Sequence, residues 1–350
     1  MASTEQERID AVSRYLLGEA ASAICRALGR SRYWLYKWLK RYDPANPAWA
    51  IQWHLRQLGV APLPAVWTIN RILRRHGLVA KPRYLPRGTP YPAVVPPGPH
   101  HLHQLDLVGP RYLRGGARFY GVHLMDAYSN AVALEAVASK RAPEVVGALV
   151  AGWQRLGLPQ VLQVDNELSL RGSNRYPRSF GLVVRVCLAL GVQVVFIPEG
   201  EPWRNGIVER FNDVYDKLFL RAQWFRDLDE LRAELPRFEA FHNTHHRYAK
   251  LGQRTPGEAH TASRRRLLPR RFRLPRRGLS WQDGRVSFIR LTDQAGTVRF
   301  FSERFLVDPT LVHEYVTGTI DTRMGRLTLA HQGRVVKVYR YVVTKHSRQL

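Results

Sequence analysis

The chain has 350 residues, 54 Lys plus Arg against 28 Asp plus Glu, a formal net charge of +26 and 45% hydrophobic residues. That length exceeds one small domain, the apolar content excludes a wholly disordered chain, and the charge calls for a polyanionic partner, most often nucleic acid. Two cysteines, Cys25 and Cys187, exclude a disulfide scaffold and a cysteine-rich zinc module.

Glu5 to Tyr42 reads as three short helices, stopped at Gly18 and Gly29, with Ser31 as N-cap of the third. That third helix carries Arg32, Lys37, Lys40 and Arg41 between Tyr33, Trp34, Tyr36 and Trp38, a helix-turn-helix pattern with a basic recognition helix. A second, smaller unit follows. Ala48 to Leu58 ends at Gly59, and Ala65 to His76 shows Ile69, Ile72 and Leu73 at helical spacing, with Arg71, Arg74 and Arg75 on its outer face. Lys81 to His100 holds seven prolines and predicts an extended, semi-rigid linker.

From His101 the texture changes. Strands are predicted at Leu102–Val108, Arg118–Tyr128 and Ala131–Ser139, then a helix over Pro143–Leu156 and a strand over Val161–Asp165. A helix over Ser179–Leu190, a strand over Val192–Ile197 and long helices over Gly206–Phe225 and Leu228–His242 complete an α/β pattern. The most apolar stretch, Leu182 to Pro198, is broken by Arg185 and Gln193 and is too short to span a bilayer. Met1 to Arg14 carries Glu5, Glu7 and Asp10 and does not read as a secretory signal, so no membrane partner and a cytoplasmic location are expected. Ser263 to Arg277 contains eight arginines, among them Arg264, Arg265, Arg266, Arg270 and Arg271, and reads as a linker that touches phosphates. Short alternating strands from Leu279 to Val343 (Arg285–Leu291, Thr297–Phe301, Glu314–Asp321, Arg326–His331 and Val335–Tyr341) suggest a small barrel of SH3-like size.

Three carboxylates stand out by placement. Asp106 lies within an apolar strand, Asp165 ends another, and Glu209 opens a helix after Trp203-Arg204-Asn205-Gly206-Ile207-Val208. A carboxylate in an apolar strand is costly to bury unless paired or bound to a metal. Together they would make a hard, all-oxygen site suited to Mg²⁺ or Mn²⁺. Asp126 reads as a turn or packing residue, and Asp213 and Asp216 as exposed. Glu199 and Glu201 are alternatives to Glu209. His100, His101 and His103 cluster without a cysteine pair to complete a zinc site, and His242, His245 and His246 read as helix-end packing. Trp203 and Arg204 are open to DNA contact or to packing.

Residues 101 to 260 resemble the integrase core of DDE transposases and retroviral-type integrases. The matching pieces are Leu105-Asp106, Met125-Asp126-Ala127-Tyr128-Ser129-Asn130, Val164-Asp165-Asn166, Pro202-Trp203-Arg204-Asn205-Gly206-Ile207-Val208-Glu209-Arg210-Phe211-Asn212, Phe241-His242-Asn243 and Leu251-Gly252-Gln253-Arg254-Thr255-Pro256. With the flanking units, the order resembles bacterial insertion-sequence transposases. The resemblance implies a multidomain chain. Its parts are all-α helix-turn-helix units at 1–45 and 46–80, a linker at 81–100 and a central α/β ribonuclease-H-like core at 101–262. An Arg-rich linker at 263–278 and a small SH3-like β-barrel at 279–350 follow. It further implies that Asp106, Asp165 and Glu209 hold two Mg²⁺ or Mn²⁺ ions for cleavage and strand transfer of double-stranded DNA by a homo-oligomer in the bacterial nucleoid. Two departures stand in the sequence. Glu167 follows Asp165-Asn166 where the family has Gly, and 43 residues separate Asp165 from Glu209, an excess that falls in Leu170–Arg178 as an expected surface insertion. A DNA-binding regulator on the same scaffold, without catalysis, is the alternative.

Overall fold

The computed structural model describes residues 5–16, 19–41, 48, 51–52, 55–56, 58–76, 89–172, 178–269, 272–273, 279 and 283–343. They fall into two units, Met1–Tyr84 and Leu85–Leu350.

In the first unit, helices α1 (Glu5–Leu16), α2 (Ala21–Ala27) and α3 (Arg32–Arg41) enclose Ala11, Ile24, Cys25 and Leu35. Gly29, at φ 61°, makes the turn after α2, a conformation that costs an L side chain about 1–2 kcal/mol. The Ser31 hydroxyl accepts from the Trp34 N–H at 3.1 Å, so the expected N-cap is present. Helix α4 (Val66–Arg75) packs Ile69 and Leu73 on Ala48, and Gln52 Nε2 donates to the Pro64 carbonyl at 2.8 Å. Of the helix expected over Ala48–Leu58, positions 48, 51–52 and 55–56 are helical, Leu58 is in a turn, and 49–50, 53–54 and 57 lie outside the described residues. So do 81–88 of the expected linker.

The second unit is built on a nine-stranded sheet in the order β11-β10-β9-β6-β5-β4-β1-β2-β3. Strands β1 (Leu102–Tyr112), β2 (Arg118–Asp126) and β3 (Val132–Val137) form an antiparallel meander. Strands β4 (Val161–Val164) and β5 (Gln193–Phe196) are added in parallel beside β1. Alternation along β1 sorts its side chains. Leu105 and Leu107 enter the core under α5 (Ala142–Leu156), which fills one face with Val145, Leu149 and fully buried Trp153. Gln104 and Asp106 face the other side. There α8 (Gly206–Tyr215) and α9 (Leu228–His245) pack Val208, Phe211, Tyr215, Leu235 and Phe238 on Met125, Val132 and Leu134. Between these lie two short helices, α6 (Leu168–Arg171) and α7 (Leu182–Ala189). After α9 comes α10 (Pro256–His260), closed at its start by a Thr255/Glu258 capping box. The helix expected to run from Gly206 to Phe225 ends as an α-helix at Tyr215 and continues as one π turn, Asp216–Leu220.

The C-terminal strands are present at the expected places, with one more, β8 (Glu303–Leu306). Their connection differs from the expected closed barrel. Strands β6 (Arg285–Leu291), β9 (Tyr315–Asp321), β10 (Arg326–His331) and β11 (Arg334–Arg340) form an antiparallel run that continues the core sheet, because β6 pairs in parallel with β5. Strand β7 (Thr297–Phe300) pairs with β8 as a separate ribbon. The physical reason is the edge. Without β6, the backbone of Val194 to Phe196 would be an open edge with unpaired N–H and C=O groups. Phe196 and Phe288 stack across this seam with ring centroids 4.8 Å apart. The last part of the expected linker also belongs to this unit. Tyr91 packs edge-on against Tyr315 at 5.2 Å, and Val94 packs beside it. Among the described residues no helix is long and apolar enough to cross a membrane.

Candidate active site

The three singled-out carboxylates meet at one end of the parallel strands. Gln104 of β1 stands opposite Gln163 of β4, so Asp106 and Asp165 leave neighbouring strands at the same level. Glu209 is in the first turn of α8. A glutamine sets that helix on the sheet. Gln104 Oε1 accepts from the Ile207 and Val208 N–H groups at 3.2 and 3.1 Å, satisfying two of the orphan donors of the helix start. Asn205 Nδ2 donates to the Leu105 carbonyl at 2.9 Å, and Gln163 Nε2 donates to the Arg204 carbonyl at 3.1 Å. The Pro202–Asn205 turn is thereby tied to both strands.

Each carboxylate has its own surroundings. Asp106 Oδ1 accepts from the Leu107 N–H at 2.9 Å, and Oδ2 from Asn212 Nδ2 at 2.5 Å. Asn212 Oδ1 in turn meets His123 Nδ1 at 2.7 Å. Since an amide oxygen only accepts, His123 carries its proton on Nδ1, and burial pushes that imidazole down toward the neutral form. Asp165 Oδ1 accepts from the Glu167 N–H at 3.1 Å. Partial burial raises the Asp165 carboxyl, and the charges of Glu167 and Asp106 add to that rise. Burial likewise raises Glu209, followed by the charges of Asp106 and Asp165. The charges of both aspartates therefore reach Glu209, and negative charge is gathered at this end of the strands. An all-oxygen set of this kind fits Mg²⁺ or Mn²⁺ by donor chemistry.

The turn after Asp165 is held from a distance. Asn166 Nδ2 donates to the Ile197 carbonyl, and its Oδ1 accepts from Arg290 of β6, each at 2.6 Å. Arg290 also donates to the Ile197 carbonyl at 3.1 Å, and burial lowers its guanidinium to about 10. Glu167 sits at φ −60° and ψ 140°, ordinary extended backbone, so no Gly is required there. Its side chain accepts from Lys140 at 2.7 Å. The two ends of the extra segment before Glu209 are anchored. Leu170 is fully buried, and Arg178 makes two bonds to Glu303 at 2.8 and 2.7 Å; 173–177 lie outside the described residues. Its ends meet where Gly172 and Gly181 lie back to back: a Cβ on Gly172 would come 2.7 Å from the Gly181 nitrogen. A cleft of about 520 Å³ opens beside Asp165, between Glu199, Arg171, Arg299 and Phe301.

Other sequence candidates separate. Glu201 is buried and accepts from the Tyr315 hydroxyl at 2.8 Å and from Arg204 at 3.0 Å, so it does not replace Glu209. Glu199 pairs with Arg171 at 3.4 Å. Asp216 pairs with Arg111 and Arg221 at 3.2 and 2.6 Å, and Asp213 is exposed. Arg204 points inward: its guanidinium lies 3.9 Å from the Tyr91 ring, besides its bond to Glu201. His242 is buried, with Nε2 3.2 Å from the Asn130 carbonyl. Of the arginines assigned to DNA, Arg32, Arg71, Arg75, Arg264, Arg265 and Arg266 are exposed. Arg265 donates to the Arg155 carbonyl at 2.9 Å, while Arg266 donates to the carbonyls of Pro159, Leu190 and Gly191, at the ends of α5 and α7. Lys37, Lys40, Arg41 and Arg74 lie on their helices with side chains outside the described set, and Arg270 and Arg271 lie outside the described residues. Sequence reading missed Gln104, Gln163, His123 and Arg290. The signal for the first two was present, since a polar residue recurs two positions before each strand carboxylate.

A second polar cluster lies on the opposite face of β1. His103 stands directly across from Asp126 of β2, both fully buried. Burial alone would raise the Asp126 carboxyl, but His103 and the N–H groups of Ser129 and His100 outweigh it and hold Asp126 well below the usual carboxylate range. Burial pushes His260 down to about 4 and lowers His100 as well.

Residues 190–256 match the family described as Integrase core domain, and residues 2–47 the family described as Homeodomain-like domain. The first match carries Glu209 and its Asn205-to-Asn212 run; Asp106 and Asp165 precede it. No curated protein matches the sequence. Among solved structures, the magnesium-bound integrase catalytic core domain of HTLV-2 is similar at 17% identity. That match covers 47% of this chain and 98% of that one, with a TM-score of 0.36. The simian T-cell lymphotropic virus intasome is similar at 16% identity over 79% of this chain and 92% of that one, with a TM-score of 0.43. The BIV integrase core shows 17% identity over 46% and 94%, at 0.35. A homeodomain-like segment followed by an integrase core segment fits a DNA-binding protein of the transposase or integrase kind.

Proposed function

We propose that this chain cuts double-stranded DNA at the ends of a mobile element and joins the freed 3′-hydroxyl to target DNA. The observation that carries the reading is the convergence of Asp106, Asp165 and Glu209: Gln104 and Gln163 stand opposite on neighbouring strands, which sets the two aspartates at one level, and the charges of both reach Glu209. Asp106, Asp165 and Glu209 would hold two Mg²⁺ or Mn²⁺ ions, which when bound activate the attacking hydroxyl and offset charge on the leaving oxygen. The chain's own residues supply position. His123 and Asn212 orient Asp106, Gln104 and Asn205 fix the helix that carries Glu209, and Arg290 holds Asn166 beside Asp165. Recognition falls to the helical units at 1–45 and 46–80 through Arg32, Lys37, Lys40, Arg41, Arg71, Arg74 and Arg75, and chemistry to 101–262. The exposed Arg264 and the neighbouring Arg270 and Arg271 fit contact with backbone phosphates. Joining needs two DNA ends held together, which calls for a homo-oligomer on DNA, and the bacterial nucleoid is the fitting location.

A second reading, a DNA-binding regulator without catalysis, has one observation in its favour: both Asp106 oxygens already accept hydrogen bonds from the protein. Purified full-length protein with duplexes carrying the flanks of its own gene, in Mg²⁺ and then Mn²⁺, separates the two. Nicked and joined products are expected. Tight binding without cleavage in either metal would overturn the catalytic reading and leave the regulator.

A further inference from the structure

The cluster on the far face of β1 takes no part in the chemistry above. Among the described residues, His100, His103 and Asp126 offer ligand atoms that all lie within 4.8 Å of one another, and all three are buried. Asp126 Oδ1 is fully used: it accepts from the Tyr128 N–H, the Ser129 N–H and the Ser129 hydroxyl at 3.0, 2.7 and 2.9 Å. Oδ2 accepts from the His100 N–H at 2.6 Å and keeps a second lone pair. Two imidazole nitrogens stand off from that oxygen, His103 Nε2 at 3.5 Å and His260 Nδ1 at 3.7 Å. These separations are long for hydrogen bonds. They are close to the edge of a tetrahedron around zinc, about 3.3–3.4 Å for ligand bonds of about 2.0–2.1 Å.

The proton count points the same way. His260 Nε2 lies 2.9 Å from the Leu156 carbonyl and must donate to it, which makes Nδ1 a lone-pair acceptor. The nearest donor is the Ser129 hydroxyl at 3.0 Å, but its single proton has a second suitor in Asp126 Oδ1. Among the described residues, neither ring nitrogen of His103 has a partner at hydrogen-bond distance, although the ring is fully buried. Buried polar atoms left this way destabilise the fold. A cation among them would take the idle lone pairs at once. His100 Nε2 already meets the His260 carbonyl at 3.1 Å, the kind of outer hydrogen bond that fixes a metal-binding imidazole.

We propose that His100, His103 and Asp126, completed by His260, form a structural transition-metal site, zinc by its ligand chemistry, that pins the segment before β1 and the end of α10 to the β2 turn. The mixed nitrogen and oxygen donors distinguish it from the all-oxygen set on the other face. The cysteines absent from the His100–His103 run are replaced by an aspartate from the neighbouring strand.

The test is independent of DNA chemistry. Full-length protein purified without chelator is assayed for metal content, and chelated protein is titrated with Co²⁺ and followed by visible absorption. Wild type should carry about one zinc per chain and give the intense band of four-coordinate cobalt. The band should persist in Asp165→Asn, and His260→Gln should lower Co²⁺ affinity roughly 10–100-fold. His103→Gln should abolish the band; if that variant does not fold, the wild-type and His260→Gln titrations decide. A wild type that holds no zinc and gives no such band would overturn the proposal and leave a closed Asp–His network. A band lost in Asp165→Asn would overturn it equally, by placing the ion on the other face.

Discussion

Two carboxylates on the core strands that flank β1, Asp165 after β4 and Asp126 at the end of β2, respond to the fold in opposite directions. Asp126 is deeper, yet imidazole and N–H donors hold it below its ordinary value of 3.8. Asp165 is shallower, yet it is raised, because a single N–H and a nearby Lys140 stand against burial and the charges of Glu167 and Asp106. Depth therefore does not set the sign; the donors supplied by the sequence do. One pocket is supplied with imidazole and N–H groups around its acid and serves the fold. The other is left short of positive charge, which is what a cation-dependent site requires.

The contrast yields opposite pH slopes. Asp126, depressed, contributes stability present above pH 3.8 and lost as pH falls through its lower folded value. Asp165 and Glu209, raised, contribute stability that is full below their ordinary values of 3.8 and 4.5 and lost as pH rises through their folded values. The largest expected effect is on the first of these. Asp126→Asn should cost about 3–5 kcal/mol at neutral pH in denaturant unfolding, since it strips a buried network of its anion. Under the same conditions and without divalent metal, Asp165→Asn should raise the melting temperature, and Mg²⁺ should shrink or reverse the gain by stabilising wild type. Equal destabilisation by the two substitutions would erase the contrast.

Smaller effects sharpen it. Arg290→Met leaves Asn166 Oδ1 without its donor; a loss of about 2–4 kcal/mol and a roughly 10–100-fold fall in cleavage are expected. Asn212→Ala frees Asp106 and leaves the buried His123 N–H without its acceptor; the Mg²⁺ needed for half-maximal cleavage should rise roughly 10–100-fold, with a loss of about 1–3 kcal/mol in unfolding experiments. Gln104→Ala exposes two helix-start N–H groups and should cost about 1–2 kcal/mol in unfolding experiments.

Much of this was legible in the residues. The strands of the core follow their alternation closely, and Ser31 caps as its type and position demand. Asp106, Asp165 and Glu209 were visible because an acid in or beside an apolar run is conspicuous. The parallel pairing of β5 with β6 was not, because it joins Val194 to Val286 across some ninety residues and no local pattern encodes it. For that reason a separate barrel was expected, and Arg290 went unnoticed as a support of the turn after Asp165. Asp126 reads as a turn or packing residue, and it does hold the turn through Tyr128 and Ser129; its other neighbour, His103, comes beside it only through cross-strand register. Arg204, Arg265 and Arg266 were read by charge alone, and the contacts their side chains make to an acid, aromatic rings and main-chain carbonyls of the fold itself were not legible.

The most direct measurement is cleavage of a flank-bearing duplex by wild type and Asp165→Asn at matched DNA occupancy in Mn²⁺. The account predicts nicked and joined products from wild type and none from the variant, with equal binding. Products from both at similar rates, or from neither, would contradict it.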